Sequence, residues 1–141
     1  MNSKELLNSI VKTAQMGQIG IRSVMKGHLH NDMKSALRSQ LSEYDKIETE
    51  AQRIAASKGW ELDELNPVVK KMTDFMTRTR LSFSEPNSMA AAMMIQGNTR
   101  GLIKGYKNIH QCHCSDERIT QLCEKLLSSE EANAKQMQGF L

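Results

Sequence analysis

Apolar and polar positions alternate along this chain with the period of an α-helix, and no stretch shows the two-residue alternation of a half-buried strand. Four long amphipathic segments and one shorter segment result from this pattern. We number the predicted helices α1 to α5 in chain order. They cover residues 3–26, 31–58, 67–82, 88–110 and about 116 almost to the C-terminus. The pattern therefore predicts an all-α protein, with residues 1–141 forming one domain.

The stretch 88–110 is predicted to be the central packing element. Its predicted buried face consists of Met89, Ala92, Ile95, Thr99, Leu102, Tyr106 and Ile109. Gly97, Gly101 and Gly105 form a second line at four-residue steps. Each glycine costs a helix interior roughly 0.5–1 kcal/mol relative to alanine, so the line predicts a helix-packing role in which a neighbouring backbone comes close. That neighbour belongs either to the same bundle or to a second copy, and we predict a homodimer.

Connection lengths predict the topology. The α1–α2 and α4–α5 connections are short, so each pair is antiparallel, whereas residues 59–87 form a long crossover that contains α3. A segment of this length can return along the bundle, so that α4 starts near the start of α2. Paired hairpins joined by one crossover predict a ferritin-like four-helix bundle with an extra helix at about 67–82. A five-helix up-and-down array is the alternative.

Composition narrows the class of protein. The chain is 39% hydrophobic but only 4% aromatic, with 10 methionines, which indicates an adaptable aliphatic and thioether core. A net charge of +3 does not require a polyanionic partner. We expect no membrane partner, because no apolar run has the ~18–20 residues of a membrane span and the first residues lack a signal-peptide core. An odd number of cysteines argues against a secreted disulfide framework, so cytoplasmic residence is predicted.

Several motifs give the chain a family resemblance. They are Glu43-Tyr44-Asp45-Lys46-Ile47, Met93-Met94-Ile95-Gln96-Gly97, Glu130-Glu131 and the terminal Phe140-Leu141. With them the chain resembles the ferritin-like superfamily, and within it a group of small uncharacterised bundle proteins of anaerobic Gram-positive bacteria. The resemblance covers nearly the whole chain in pattern and implies a bacterial protein, but this group has no assigned activity.

Active members of that superfamily bind two metals through glutamates and Glu-x-x-His pairs. This chain contains no Glu-x-x-His, since Lys46 follows Glu43 and Asn133 follows Glu130 at that spacing. We therefore predict that the di-metal ligands are lost, that no cofactor is bound, and that the protein is not an enzyme, although the sequence does not decide this last point. The residues expected nearest the vestigial interior site are Gln15, Gln18, Glu43, Tyr44, Gln96, Thr99, Glu130 and Asn133.

Two other groups of residues carry possible chemistry. His110, Cys112, His113 and Cys114 could hold zinc, but only one residue separates the cysteines, unlike the usual Cys-x2–4-Cys spacing. Basic residues cluster on α3 and α4, but no aromatic side chains lie between them to stack bases, so a nucleic-acid partner is not expected.

The sequence predicts a non-catalytic bundle that acts through helix–helix association with itself or with a protein partner. The alternative is a metal-binding or redox protein that binds iron or zinc in the bundle interior or in the Cys–His segment.

Overall fold

The computed structural model describes residues 1–82 and 85–141, and within these ranges the chain forms five α-helices and no β-strand. The helices are α1 (Ser3–Val24), α2 (Asn31–Ser57), α3 (Pro67–Leu81), α4 (Pro86–Gln111) and α5 (Glu117–Gln138). The all-α prediction is therefore confirmed, with helix ends within a few residues of the predicted ones. None of the helices in the described ranges is both long and apolar enough to cross a membrane.

Capping side chains fix where α1, α3, α4 and α5 begin. Asn2 caps α1 in a reciprocal capping box with Glu5, and Asp116 caps α5 by accepting from the Arg118 amide. Asn66 caps α3 and is followed by Pro67, whose fixed φ suits the first helical turn. The Glu85 carboxylate caps α4 by accepting from two backbone amides.

The helix at the centre of the molecule is α1, which contacts each of the other four helices. The prediction that α4 is central is wrong. Buried apolar residues occur along most of α1, from Leu6 and Leu7 to Ile21 and Val24. α4 instead lies between α1 and α5 and presents mainly alanine, asparagine and glycine to them.

Connections and side-chain contacts together fix the helix directions. Gln15 of α1 bonds Glu48 of α2, and because only residues 25–30 connect these packed helices, they are antiparallel, as predicted. Gln40 bonds Gln136, which relates α2 to α5, while Asn108 bonds Ser9, which relates α4 to α1. The amide of His30 donates to Asn87 Oδ1 over 2.7 Å, so α2 and α4 begin side by side.

The buried face of α4 is rotated from the predicted one. Ala90, Ala91, Met94, Asn98 and Gly105 are buried, whereas Thr99 and Tyr106 of the predicted apolar stripe are exposed. The spacing of the larger apolar side chains predicted the other face. The small residues face inward because they let α4 approach its neighbours closely.

Helix α3 covers one side of the molecule and packs on α1 and α4. Thr77 is the residue of this helix that is buried. A Cβ atom on Gly27 would lie 2.9 Å from Leu81 Cδ1, so Gly27 permits the close approach of the end of α3 to the end of α1. Ser84, part of the predicted break before α4, lies outside the described residues.

Candidate functional site

A buried polar cluster lies where α2, α4 and α5 meet. Tyr44 donates its hydroxyl to Glu130 Oε1 over 2.8 Å. Asn98 Nδ2 lies 2.8 Å from Glu130 Oε2 and 3.1 Å from Tyr44 Oη. Glu130 is 2% exposed and Asn98 1% exposed. The three side chains therefore form a closed hydrogen-bonded triangle in the interior.

Two glycines make room for this cluster. A Cβ atom on Gly17 of α1 would lie 2.6 Å from the Tyr44 ring. A Cβ atom on Gly101 of α4 would lie 3.1 Å from the Glu130 carboxyl carbon. Side chains at either position would push the phenol or the carboxyl group out of place. Glycine at these two positions of α1 and α4 thus leaves room for the phenol that α2 supplies and the carboxyl group that α5 supplies.

Burial controls the protonation of the cluster. It raises the pKa of Glu130 because a carboxylate loses its hydration there, although the hydrogen bonds from Asn98 and Tyr44 oppose the shift. Burial also raises the pKa of Tyr44, and the negative charge of Glu130 adds to that effect. Tyr44 is therefore a neutral hydrogen-bond donor at every physiological pH.

Two amide atoms in this region have no hydrogen-bond partner among the described residues. They are Asn98 Oδ1 and Asn133 Nδ2, both buried. An unpaired buried amide group is costly, and the two ends of an asparagine amide are exchangeable by rotation. If Glu130 is protonated, rotation of Asn98 lets its Oδ1 atom accept the carboxyl proton. If Glu130 is ionised, Oδ1 has no donor among the described residues.

A cavity of about 430 Å³ lies directly over this cluster, between α1, α3 and α4. Tyr44, Asn98 and Glu130 lie at its lining. Most of the rest of the wall is apolar. It is formed by the backbone of glycines and by the side chains of Met16, Val24, Leu65, Met76, Met93 and Met94.

Basic side chains also line the cavity. They are Lys12 of α1, Arg80 of α3 and Arg100 and Lys104 of α4. Lys12 forms an ion pair with Asp63 at 3.5 Å. Glu130 is the acidic residue of the lining. The cavity thus has mainly apolar walls and more basic than acidic side chains at its lining.

The structure brings together three of the residues predicted for an interior site. Tyr44 bonds Glu130, and Asn133 lies beside the Tyr44 hydroxyl. Asn98, which completes the cluster, was not predicted. It follows Gly97 on a helix whose apolar stripe pointed elsewhere, and only the three- and four-residue spacing of Met94, Asn98, Gly101 and Gly105 could have indicated its face.

The other predicted interior residues lie elsewhere. Gln15 and Gln18 donate to Glu48 over 2.7 and 3.0 Å, at the interface of α1 and α2. Glu43 pairs with Lys46 at the surface, since it lies one position from the buried Tyr44 and so faces away. Thr99 and Gln96 are exposed because they lie one residue after and two residues before the buried Asn98. Gln96 nevertheless lines the cavity.

The Cys–His segment is part of the packing between the end of α4 and the start of α1. Ser3 Oγ donates to Cys114 Sγ over 3.2 Å, and the His113 amide donates to the Met1 carbonyl. His110 and His113 are exposed, whereas Cys112 and Cys114 are half-buried. Although burial opposes it, hydrogen bonds from Ser3 and Thr120 lower the pKa of Cys114.

Metal binding requires several ligands that converge. Across residues 1–82 and 85–141, no three His, Cys, Asp or Glu side chains are grouped so that they could hold a metal ion. The buried cluster offers one carboxyl group, one phenol and amides, which do not fit the carboxylate and imidazole set of a di-iron centre.

The glycine line of α4 is used mainly within the chain. Gly105 faces Leu127, whose Cδ2 atom would lie 2.6 Å from an added Cβ, and Gly101 faces Glu130. A Cβ on Gly97 would meet nothing within 4 Å among the described residues, because this glycine borders the cavity. Side chains of α5, and not a neighbouring backbone, occupy the space at Gly101 and Gly105. The glycine line therefore gives the predicted homodimer no support.

Comparison with known proteins identifies a fold and no family. No protein-family model matches the chain, and no curated protein matches it in sequence. A solved structure described as a DUF305 fragment from Deinococcus radiodurans is similar, with a TM-score of 0.75 over 97% of this chain and 93% of that chain. Sequence identity is 8%, so the similarity shows the helical fold alone.

Proposed function

We propose that this protein is a non-catalytic bundle that binds a small apolar molecule with an acidic group in the cavity between α1, α3 and α4. The observation that carries the proposal is an apolar cavity of about 430 Å³ whose lining includes four basic side chains and one acidic residue. Cavities of roughly 300–1,000 Å³ are the size of small-molecule sites.

The walls fit an apolar body. Met16, Met76, Met93 and Met94 line the cavity, and methionine side chains adapt to ligands of different shape because they are flexible and polarisable. Arg100 and Lys104 lie one helical turn apart and provide a site for the acidic group. A hydroxyl or amine donor on the buried end of the ligand would satisfy Asn98 Oδ1.

A binding role also agrees with how the cluster is used. Both oxygens of Glu130 accept hydrogen bonds from the chain itself. Tyr44 and Asn98 are held in the same triangle, so none of the three is arranged as a nucleophile with an adjacent base. The cluster forms the floor of the site and fixes the shape of the cavity.

We further infer that the bundle is ferritin-like. Contacts relate α1 to α2, α2 to α5, α5 to α4 and α4 to α1, and α2 and α4 begin side by side. This is the order expected for two hairpins joined by a long crossover. A bacterial, cytoplasmic origin is proposed on the sequence resemblance and the cysteine content.

Helix–helix association is a second candidate function. Ile103 and Tyr106 are exposed large side chains on the outer face of α4, where a second copy or a protein partner could pack. No group of three His, Cys, Asp or Glu side chains among the described residues could hold a metal ion, and the metal or redox alternative stays a prediction from sequence.

The binding proposal is tested by calorimetric titration with decanoate, and with decanol and decyltrimethylammonium for comparison. Decanoate is expected to bind most tightly, because its carboxylate meets the basic residues of the lining. Gly97→Met should abolish binding by filling the cavity, because a Cβ at Gly97 meets nothing within 4 Å. Thr99→Met, on an exposed part of the same helix, is the matched control.

The charge requirement is tested separately. Arg100→Gln/Lys104→Gln should weaken decanoate binding about tenfold or more, while Lys107→Gln, outside the cavity lining, should not. Equal binding by wild type and Gly97→Met, or a preference for the cationic amphiphile, would contradict the proposal.

A further inference from the structure

Helix α3 exposes its apolar face to solvent. Val68, Met72, Phe75 and Met76 are exposed, with Phe75 69% exposed. Val68, Met72 and Phe75 follow the four- and three-residue steps of one helix face. These three residues form an apolar strip, which we call the α3 strip, along a helix about 22 Å long. Met76 lies beside the strip, at the cavity wall.

Polar contacts hold the opposite side of α3 against α1. Asp74 accepts a hydrogen bond from Ser23 and forms an ion pair with Lys26 at 3.1 Å. Thr77, 2% exposed, is buried on the same side. A surface helix ordinarily turns its apolar face toward the core, and α3 has the reverse orientation.

The charged residues of α3 are also unequally distributed between its inner and outer sides. α3 contains Lys70, Lys71, Arg78 and Arg80 but only one acid, so its net charge is 4 − 1 = +3. The whole chain also has a net charge of +3, so the rest of the chain is balanced. The acid faces α1, whereas the four basic residues are exposed.

Basic residues also border the α3 strip. Lys71 and Arg78 lie four residues before and three residues after Phe75, so both are its neighbours along the helix surface. An apolar strip with cations beside it matches the two layers of an anionic bilayer surface. The aromatic and thioether side chains suit the acyl boundary, and the cations suit the phosphates.

We propose that α3 docks on the surface of an anionic membrane, with the α3 strip inserted among the headgroups and Lys71 and Arg78 against phosphates. The sequence-based expectation of no membrane partner rested on the length of apolar runs. That criterion excludes a spanning helix, but it does not apply to a helix that lies in the interface.

A membrane explains these features better than a protein partner does. The α3 strip lies along a single helix with cations at its border, and α3 carries the whole net charge of the molecule. Docking does not depend on the proposed ligand, although it would bring the cavity, which α3 covers, close to the bilayer.

Flotation with lipid vesicles tests the proposal. Wild-type protein should bind vesicles of phosphatidylcholine with 30% phosphatidylglycerol, and bind pure phosphatidylcholine at least about tenfold more weakly. Met72→Ser/Phe75→Ser and Lys71→Gln/Arg78→Gln should each reduce binding about tenfold or more. All four side chains are exposed, so circular dichroism and thermal melting should show that the variants fold normally.

Matched controls remove equivalent groups elsewhere. Ile103→Ser/Leu141→Ser removes two exposed apolar side chains, and Arg38→Gln/Lys125→Gln removes two exposed charges. Both should bind as wild type does. The proposal is overturned if anionic vesicles do not bind, if the apolar variant binds normally, or if the controls lose binding equally. Gly97→Met should still bind vesicles, which separates this test from that of the cavity.

Discussion

At the scale of single residues, two tyrosines make the same bond in different surroundings. Tyr44 donates to Glu130 in the interior, while Tyr106 donates to Glu131 at the surface over 2.6 Å. Water can replace the second bond but not the first. Comparing the two tyrosines therefore measures how burial changes the contribution of a phenol–carboxyl hydrogen bond to stability.

Tyr44→Phe should lower the free energy of unfolding by about 1–3 kcal/mol, because it leaves Glu130 Oε1 buried without its donor. Tyr106→Phe should leave it nearly unchanged. Urea denaturation of both variants against wild type measures the difference. Equal stability of the two variants would mean that the buried triangle contributes nothing to folding.

The raised pKa of Glu130 makes stability depend on pH. Because the folded state favours the protonated carboxyl group, its contribution is complete below the ordinary value of 4.5 and is lost as pH rises through the folded pKa. A glutamine at position 130 does not titrate. After rotation of the Asn98 amide, the Asn98 Oδ1 atom can accept a hydrogen bond from the glutamine side chain.

We therefore expect the stability of wild type relative to Glu130→Gln to fall as pH rises from about 4.5 and then to level off. Urea denaturation of both proteins between pH 4 and 8 gives this difference directly. A difference that increases with pH would show that the carboxylate is the stabilised form.

At the scale of helices, Gly17 of α1 and Gly97 of α4 have opposite roles. Gly17 is needed for contact, because Tyr44 lies against its backbone. Gly97 faces open space at the cavity. The intrinsic helix propensity of glycine is equally poor at both positions, so packing alone separates them.

Gly17→Ala should destabilise the protein by about 1–3 kcal/mol, because the new methyl group overlaps the Tyr44 ring. Gly97→Ala should stabilise it by about 0.5–1 kcal/mol through helix propensity. Thermal and urea unfolding check both signs. Stabilisation by Gly17→Ala would show that α1 and α2 can separate without loss.

At the scale of the whole molecule, α3 differs from the other four helices. They bury apolar side chains against one another, while α3 is attached through Asp74, Thr77 and Leu81. Elements with few buried apolar contacts open locally before the whole protein unfolds. We therefore expect α3, which covers the cavity, to be the least stable of the five helices.

Amide hydrogen exchange should be faster in α3 than in α1, α2, α4 or α5. Asp74→Asn should accelerate exchange in α3 further, because an asparagine side chain cannot form the ion pair with Lys26. Exchange in the other helices should not change. Asp45→Asn, at an exposed position on α2, is the control. Uniform exchange in all five helices would mean that α3 folds as part of a single cooperative unit.

The helices were predictable from the amino-acid sequence alone. Their number and bounds follow from the 3.6-residue repeat and from local punctuation such as Asn66-Pro67 and Gly59, which act within one or two turns. The short connections likewise predicted antiparallel neighbours. Glu130 and Asn133 are predicted near an interior site from the Glu-x-x-His spacing that the family resemblance implies, and Tyr44 lies next to Glu43, which has the same spacing to Lys46.

Which helix faces meet depends on the tertiary packing. The larger apolar residues of α4 suggested one face, but the approach of α1 and α5 selected the face of Ala90, Asn98 and Gly105. The Asn98 bonds, the cavity and the outward apolar strip of α3 all depend on the relative rotation of several helices. Rotation is set by contacts between segments far apart in sequence, and the periodicity of one helix does not contain it.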